Sequence, residues 1–212
     1  MKITLKDGSV KEYAQPMSIL DIAKDLSEGL ARAACAGVVD GETEDLRTVL
    51  DKDCSLNICT VSDPEGLAAL RHTASHVMAQ AIKRLYPDVK LAIGPSIADG
   101  FYYDIDSEDP VTAEDLEKIE NEMKKIVKEA LPLERFTLPR AEAIAFMEEK
   151  KEPYKVELIQ DLPEDAEISF YRQGEFTDLC AGPHLMSTKE VGKAFKLTSI
   201  AGAYWRGNEH NK

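Results

Sequence analysis

Ile3 and Leu5 alternate with Lys2, Thr4 and Lys6, the period-two pattern of a half-buried strand. Asp7-Gly8 supplies a hairpin turn, and Val10 and Tyr13 continue into a second strand. The apolar spacing then changes to steps of three and four. Ile19, Leu20, Ile22, Ala23 and Leu26 predict a helix capped by Ser18, with Asp21 as a weak capping-box partner and Gly29 near its end. Three more strands are predicted at 35–39, 46–48 and 55–61, with a turn at Asp40-Gly41. The order β-β-α-β-β-β within residues 1–61 predicts a small β-grasp, ubiquitin-like module. No catalytic constellation is visible in it.

Asp63-Pro64-Glu65-Gly66 reads as a joint, with Asp63 as a candidate cap and Pro64 at the first helical position. Leu67, Leu70, Ala74, Val77, Ala81 and Leu85 recur at helical steps until Pro87-Asp88 stops the pattern. A strand is predicted at 90–95 and, after the turn Ala98-Asp99-Gly100, an aromatic one at 101–106. Thr112 caps a long helix marked by Leu116, Ile119, Met123, Ile126, Val127 and Ala130, with Asp115 three residues on. A short strand at 136–138 and a helix at 140–151 follow, the helix stopping before Pro153. Further strands are predicted at 156–159, 168–171 and 195–199. Residues 62–212 thus read as one α+β domain. The turn-rich stretch 201–212 holds the single tryptophan, Trp205, and reads as a connector into further chain.

Composition changes this picture little. At 43% hydrophobic and 31% charged residues the chain is of ordinary globular make-up. No apolar run is long enough to span a membrane, and the start lacks the apolar core of a signal peptide, so a cytosolic protein is expected. No two cysteines form a C-x-x-C pair, and Cys35, Cys54 and Cys59 are most simply small core residues. The net charge of -13 argues against nonspecific nucleic-acid binding by the whole surface. Residues 186–212 run the other way, with Lys189, Lys193, Lys196, Arg206 and Lys212 against Glu190 and Glu209. On charge alone, a basic patch and an ordinary solvated surface explain that stretch equally well.

The candidate chemistry lies in two stretches. His72 and His76 stand at i and i+4, so a helix projects both imidazoles from one face. Downstream, Asp178-Leu179-Cys180-Ala181-Gly182-Pro183-His184 again spaces Cys180 and His184 by four. Three imidazoles and a thiol make a plausible tetrahedral zinc set. The metalloprotease helix is excluded, because Thr73 stands where that motif needs its glutamate. Neutral histidines also serve as proton acceptors near neutral pH, and a histidine pair alone is often only a helix surface. Three of the four histidines in two such spacings, beside a cysteine and an aspartate, favour a site.

The runs Leu70-Arg71-His72 with Ser75-His76, Ala92-Ile93-Gly94-Pro95 with Gly100-Phe101-Tyr102-Tyr103-Asp104, and Glu152-Pro153-Tyr154-Lys155-Val156 are specific. So are Asp178-x-Cys180-x-Gly182-Pro183-His184 and Phe195-Lys196-Leu197 with Ala201-Gly202-Ala203-Tyr204-Trp205-Arg206-Gly207. On these runs the chain closely resembles the amino-terminal part of bacterial threonyl-tRNA synthetases. Residues 1–61 are similar to the family's TGS module, and 62–212 to its editing domain. Alanyl-type editing domains share the histidine and cysteine spacings; the aromatic and Tyr-Trp-Arg-Gly runs point to the threonyl family.

The resemblance implies hydrolysis of serine wrongly esterified to tRNA(Thr). The family's editing residues carry over onto His72, His76, Lys155, Cys180 and His184, with Asp178 toward the substrate ammonium and Tyr103 and Gly94 as pocket walls. Lys155 would offset an oxyanion or a phosphate; without the family it would read as a surface lysine. Cys180 is open to three roles, nucleophile, ligand or polar wall, and the wall is favoured because nothing in the sequence depresses its thiol pKa. No cofactor is expected for editing, with zinc on His72, His76, Cys180 and His184 as the alternative. ATP and a second zinc belong to an aminoacylation core that the family carries beyond this region. The implied partners are tRNA(Thr) carrying serine and the family's aminoacylation and anticodon-binding domains, with no membrane. The alternative function is a non-catalytic tRNA-docking fragment built around structural zinc.

Overall fold

A computed structural model describes residues 1–210. It contains two compact units, Met1–Thr73 with Gly182–Met186, and Ala74–Ala181 with Ser187–Lys212.

The first unit opens with β1 (Lys2–Leu5) and β2 (Val10–Glu12), antiparallel with Ile3 opposite Lys11. After β3 (Met17–Ser18) comes α1 (Ile19–Leu26), where the Asp21 N–H donates to Ser18 Oγ at 3.1 Å. Ser27 ends α1 and caps α2 (Glu28–Ala33), so Gly29 falls inside a second short helix. β4 (Ala36–Val39) and β5 (Glu42–Glu44) form a hairpin turning at Asp40 and Gly41, both at positive φ, the geometry that favours an Asp-Gly pair. Residues 46–48 form no strand; β6 (Val49–Leu50) follows and pairs with β3, and β7 (Cys54–Cys59) completes the set. The sheet order is β2-β1-β7-β4-β5 with β1 and β7 parallel, a β-grasp. Ile3, Ile19, Ile22, Leu46, Leu50 and Leu56 make its core, and Met186 packs against it.

Helix α3 (Pro64–Leu85) carries the first histidine pair. Asp63 spends its carboxylate on the Thr60 N–H at 2.9 Å, while its carbonyl accepts the Leu67 N–H.

In the second unit the strands expected at 90–95 and 101–106 are broken into short pieces. These are β8 (Lys90–Leu91), β9 (Ser96–Ile97), β10 (Gly100–Phe101) and β11 (Ile105–Asp106), paired as β8 with β11 and β9 with β10. α4 (Ala113–Glu129) has the full Thr112–Asp115 capping box. β12 (Leu133–Thr137), α5 (Arg140–Glu149), α6 (Pro153–Asp161), β13 (Ser169–Gln173) and β14 (Phe176–Leu179) follow, the three strands forming one antiparallel sheet. Ala143, Met147, Ile159, Ile168 and Phe170 form a core beside it, with Phe136 stacked on Phe170 at 5.4 Å.

Two predicted strands are corrected. Residues 156–159 lie in α6, where Pro153 opens the helix and Lys155 and Ile159 are the buried pair at i and i+4. Aliphatic content alone does not separate a short strand from a buried helix turn. Residues 195–199 have no regular structure. Two basic residues of the tail are engaged within the unit: Lys196 pairs with Glu120, and Arg206 with Glu157 and Asp161. Asn211 and Lys212, the end of the expected connector, lie outside the described residues.

Candidate active site

Helix α3 places His72 partly exposed and His76 buried, one turn apart. His76 Nε2 lies 3.4 Å from Asp178 Oδ2. Asp178 sits on β14 opposite Tyr171, so the β13–β14 hairpin fixes its backbone. Two residues on, the Cys180 N–H donates to the Ser169 carbonyl at 3.0 Å and the Cys180 carbonyl accepts Ser169 Oγ at 2.5 Å.

Lys155, on the first turn of α6, is buried at 3% exposure and points its ammonium at Asp178. Its Nζ donates to Asp178 Oδ1 at 2.9 Å and to the Tyr103 hydroxyl at 2.8 Å. That hydroxyl in turn donates to Asp178 Oδ2 at 2.5 Å. The three groups close a triangle, and the surface-lysine reading of Lys155 is corrected: a lysine buried this deeply needs such a partner. Burial pushes the Asp178 carboxyl up, but the Lys155 charge, then His76 and the Tyr103 hydroxyl, outweigh it and hold it below the usual carboxylate range. Burial and then the Asp178 charge push the Tyr103 phenol well above 10, so it stays a donor at neutral pH.

Tyr103 is seated by Gly94. A Cβ on Gly94 would lie 2.1 Å from the Tyr103 ring, so only glycine admits the ring there. Ser75 Oγ donates to the Gly94 carbonyl at 2.7 Å, tying that loop to α3. Lys83 Nζ donates to Glu152 Oε1 at 2.8 Å, and Glu152 Oε2 accepts the Leu91 N–H at 2.9 Å, which anchors the start of α6. A cleft of about 250 Å³ has Lys155, Asp178, Phe176 and Leu91 in its wall.

His184 is fully buried and stacks on His72 with ring centroids 4.2 Å apart. Its Nδ1 lies 2.9 Å from Thr73 Oγ1. His72, His76, Cys180 and His184 form a candidate metal-ligand group whose ligand atoms lie within 4.8 Å of one another. Three nitrogens and a sulfur fit zinc in number and type.

The structure thus links Lys155, Asp178, Tyr103, Gly94 and His76, and His76 is also one of the four candidate ligands. Sequence reasoning missed Ser75 and Glu152, common residue types whose role depends on carbonyls and amides far along the chain. It also gave no role to Asp45 and Arg47, although Asp45 Oδ2 accepts the His184 N–H at 3.0 Å.

Residues 1–60 match the model of the TGS domain, and residues 168–212 match the model described as "Threonyl and Alanyl tRNA synthetase second additional domain". Over all 212 residues the chain is 66% identical to threonine–tRNA ligase of Acetivibrio thermocellus. It is 61% identical to that of Clostridioides difficile and 58% to that of Clostridium perfringens, again over 212 residues. The chain corresponds to the amino-terminal region of the threonine–tRNA ligases. It covers 33% of the first two of these ligases and 32% of the third, so it spans about a third of the length of the curated relatives it matches. Relative to the ligase models, the Lys155 and His72–His76 contributions fall between the two matched segments, while Asp178, Cys180 and His184 fall inside the second. Among the described residues no helix is long and apolar enough to cross a membrane.

Proposed function

We propose that this chain is the editing part of a threonine–tRNA ligase and hydrolyses the ester of serine mischarged on tRNA(Thr). The observation that supports it most directly is the buried Lys155–Asp178–Tyr103 triangle beside His76. Hydrolysis of an aminoacyl ester needs a held water and a positive charge waiting where the carbonyl oxygen becomes an oxyanion. Lys155 supplies that charge in a low-dielectric setting; Asp178 and Tyr103 take two of its three N–H donors and fix its direction. Each Asp178 oxygen accepts one of these groups, Oδ1 from Lys155 and Oδ2 from Tyr103, so in this reading Asp178 holds both in place, and a serine ammonium would share its remaining lone pairs. His72 and His76 hold the water or the ribose hydroxyls. Water adds to the carbonyl carbon, the ester C–O bond breaks, and the ribose oxygen leaves with a proton. The products are serine and uncharged tRNA.

Zinc fits His72, His76, Cys180 and His184, where it would supply structural cross-linking of the two histidine-bearing stretches. Four protein ligands leave no position for water, so that metal favours the second reading, a tRNA-docking fragment without hydrolysis. The aminoacylation and anticodon-binding domains of the ligase, in the cytoplasm, are the partners; ATP and the second zinc belong to the aminoacylation core.

Single-turnover deacylation of Ser-tRNA(Thr) and Thr-tRNA(Thr) by one preparation separates the readings. A pocket fitted to serine meets threonine's extra methyl with an overpacking cost of roughly 1–3 kcal/mol. The expected preference for the seryl ester is at least about tenfold, from about 1.4 kcal/mol of discrimination. Equal rates on both esters rule out editing, and no hydrolysis of either leaves the docking reading.

A further inference from the structure

The turn between β5 and β6 of the β-grasp reaches the His184 segment. Asp45, 8% exposed, accepts the His184 N–H on Oδ2 at 3.0 Å, and its Oδ1 accepts from the Arg47 guanidinium at 2.8 Å. Arg47 also donates to the His184 carbonyl at 3.2 Å and to the Leu185 carbonyl at 2.9 Å. One aspartate and one arginine therefore hold three successive peptide units, the aspartate through the His184 N–H and the arginine through the His184 and Leu185 carbonyls, as a fork geometry allows and a lysine does not.

The next layer is Thr73. Its hydroxyl donates to the Ala69 carbonyl at 3.0 Å and accepts the Leu185 N–H at 3.0 Å. A hydroxyl has one proton and two lone pairs. With the proton on Ala69, the contact to His184 Nδ1 at 2.9 Å must be an N–H donating to Thr73. On that count of donors and acceptors His184 carries its proton on Nδ1, which leaves Nε2 as the unprotonated nitrogen. The tautomer depends on the position of the His184–Leu185 backbone, and that backbone is set by Asp45 and Arg47.

We infer that Asp45 and Arg47 are positioning residues for His184, so that the TGS module is a working part of the candidate site rather than an appendage. Their effect on turnover rests on the deacylase reading and runs through the His72 ring on which His184 stacks; their effect on the imidazole does not. The test uses the full chain labelled with ¹⁵N-histidine, as wild type, Asp45→Asn and Arg47→Lys, with the exposed His210 as internal reference. In the wild type, His184 shows an Nδ1–H signal and an unprotonated Nε2, and its amide proton exchanges slowly. Both variants move the His184 ring signals, speed exchange of its amide, and lower kcat for seryl-ester hydrolysis about tenfold, a modest share of what a misplaced group costs. KM changes by less than about twofold, because neither residue touches the substrate. Folded variants with unmoved His184 signals overturn the inference, as do moved signals with unchanged kcat in an active enzyme. The wild type alone decides if both variants unfold: a proton on Nε2, or a fast-exchanging His184 amide, overturns it.

Discussion

An ammonium as deeply buried as that of Lys155 is sustained by the Asp178 carboxylate 2.9 Å away, and each charge is the condition for the other. Lys155→Met leaves Asp178 charged and buried without its partner, which costs about 3–5 kcal/mol of stability. Adding Asp178→Asn removes the orphaned charge, so the double variant regains most of that loss while deacylation stays abolished. Urea midpoints of the four proteins measure the coupling, and equal losses in the single and double variants would refute it. The pair also carries a pH signature. Asp178 has a native pKa below its unfolded value of about 3.9, so its stabilisation is complete above that value and is lost as pH falls through the native one. The stability gap between wild type and Asp178→Asn is expected to be constant from about pH 7 to 5 and to shrink below about 4. Glu175, held down to about 2 chiefly by its hydrogen bond from Arg84, titrates in the same direction, so the comparison must be with the Asn variant and not with wild type alone. Single residues such as Gly94 show how a role can be visible but unexplained in sequence. It was legible as a pocket wall through resemblance, while the reason, a tyrosine ring packed where its side chain would be, requires coordinates.

At the scale of one element, α6 presents two faces with different duties. Lys155 and Ile159 point inward, while Tyr154, Glu157 and Asp161 form an outer face. Trp205 lies across that outer face: its ring meets Tyr154 at 4.9 Å and its Nε1–H donates to Glu157 at 2.9 Å. Tyr154 donates to Asp106 at 2.6 Å, pinning the same turn to β11. Trp205 therefore clamps the helix whose first turn aims Lys155. Trp205→Ala is expected to speed amide exchange across Pro153–Asp161 by about tenfold, for a loss near 1.4 kcal/mol in local opening free energy, and to leave β1–β7 unaffected. As the only tryptophan, Trp205 reports on itself: Glu157→Gln should red-shift its emission as the clamp loosens. Unchanged exchange in α6 would show that the tail merely rests there. The misread strand at 156–159 belongs to this scale too, since a proline-opened helix of nine residues carries too few apolar positions to declare its period.

For the molecule as a whole, the net charge of -13 leaves the proposed tRNA binding to local features, and Lys196 and Arg206 of the basic tail are already paired. Hydrolysis as proposed runs through Lys155 and its partners and needs no metal. Activity is therefore expected to survive a strong chelator, while any zinc on the histidine and cysteine group would contribute to stability alone. Deacylation and melting temperature measured before and after chelation check both halves. Loss of deacylation, restored by zinc, would move the chemistry onto the metal.

By itself the sequence determined the β-grasp order, the capped helices α1 and α4, the histidine helix and the two four-residue spacings, because each is written in near-neighbour periodicity, caps and turns. It also marked Asp178, Cys180 and His184 as one stretch. Tertiary structure alone decided that Lys155 is buried, that Asp178 spends both oxygens within the protein, and that Gly182–Met186 belongs with the β-grasp unit. It alone made Asp45 and Arg47 partners of a peptide about 140 positions away, a separation the 139 and 138 residue steps to His184 and Leu185 express directly. Those facts depend on which groups meet after the chain has closed long loops. Burial and partner choice are properties of that closure, and no local pattern of residues encodes them.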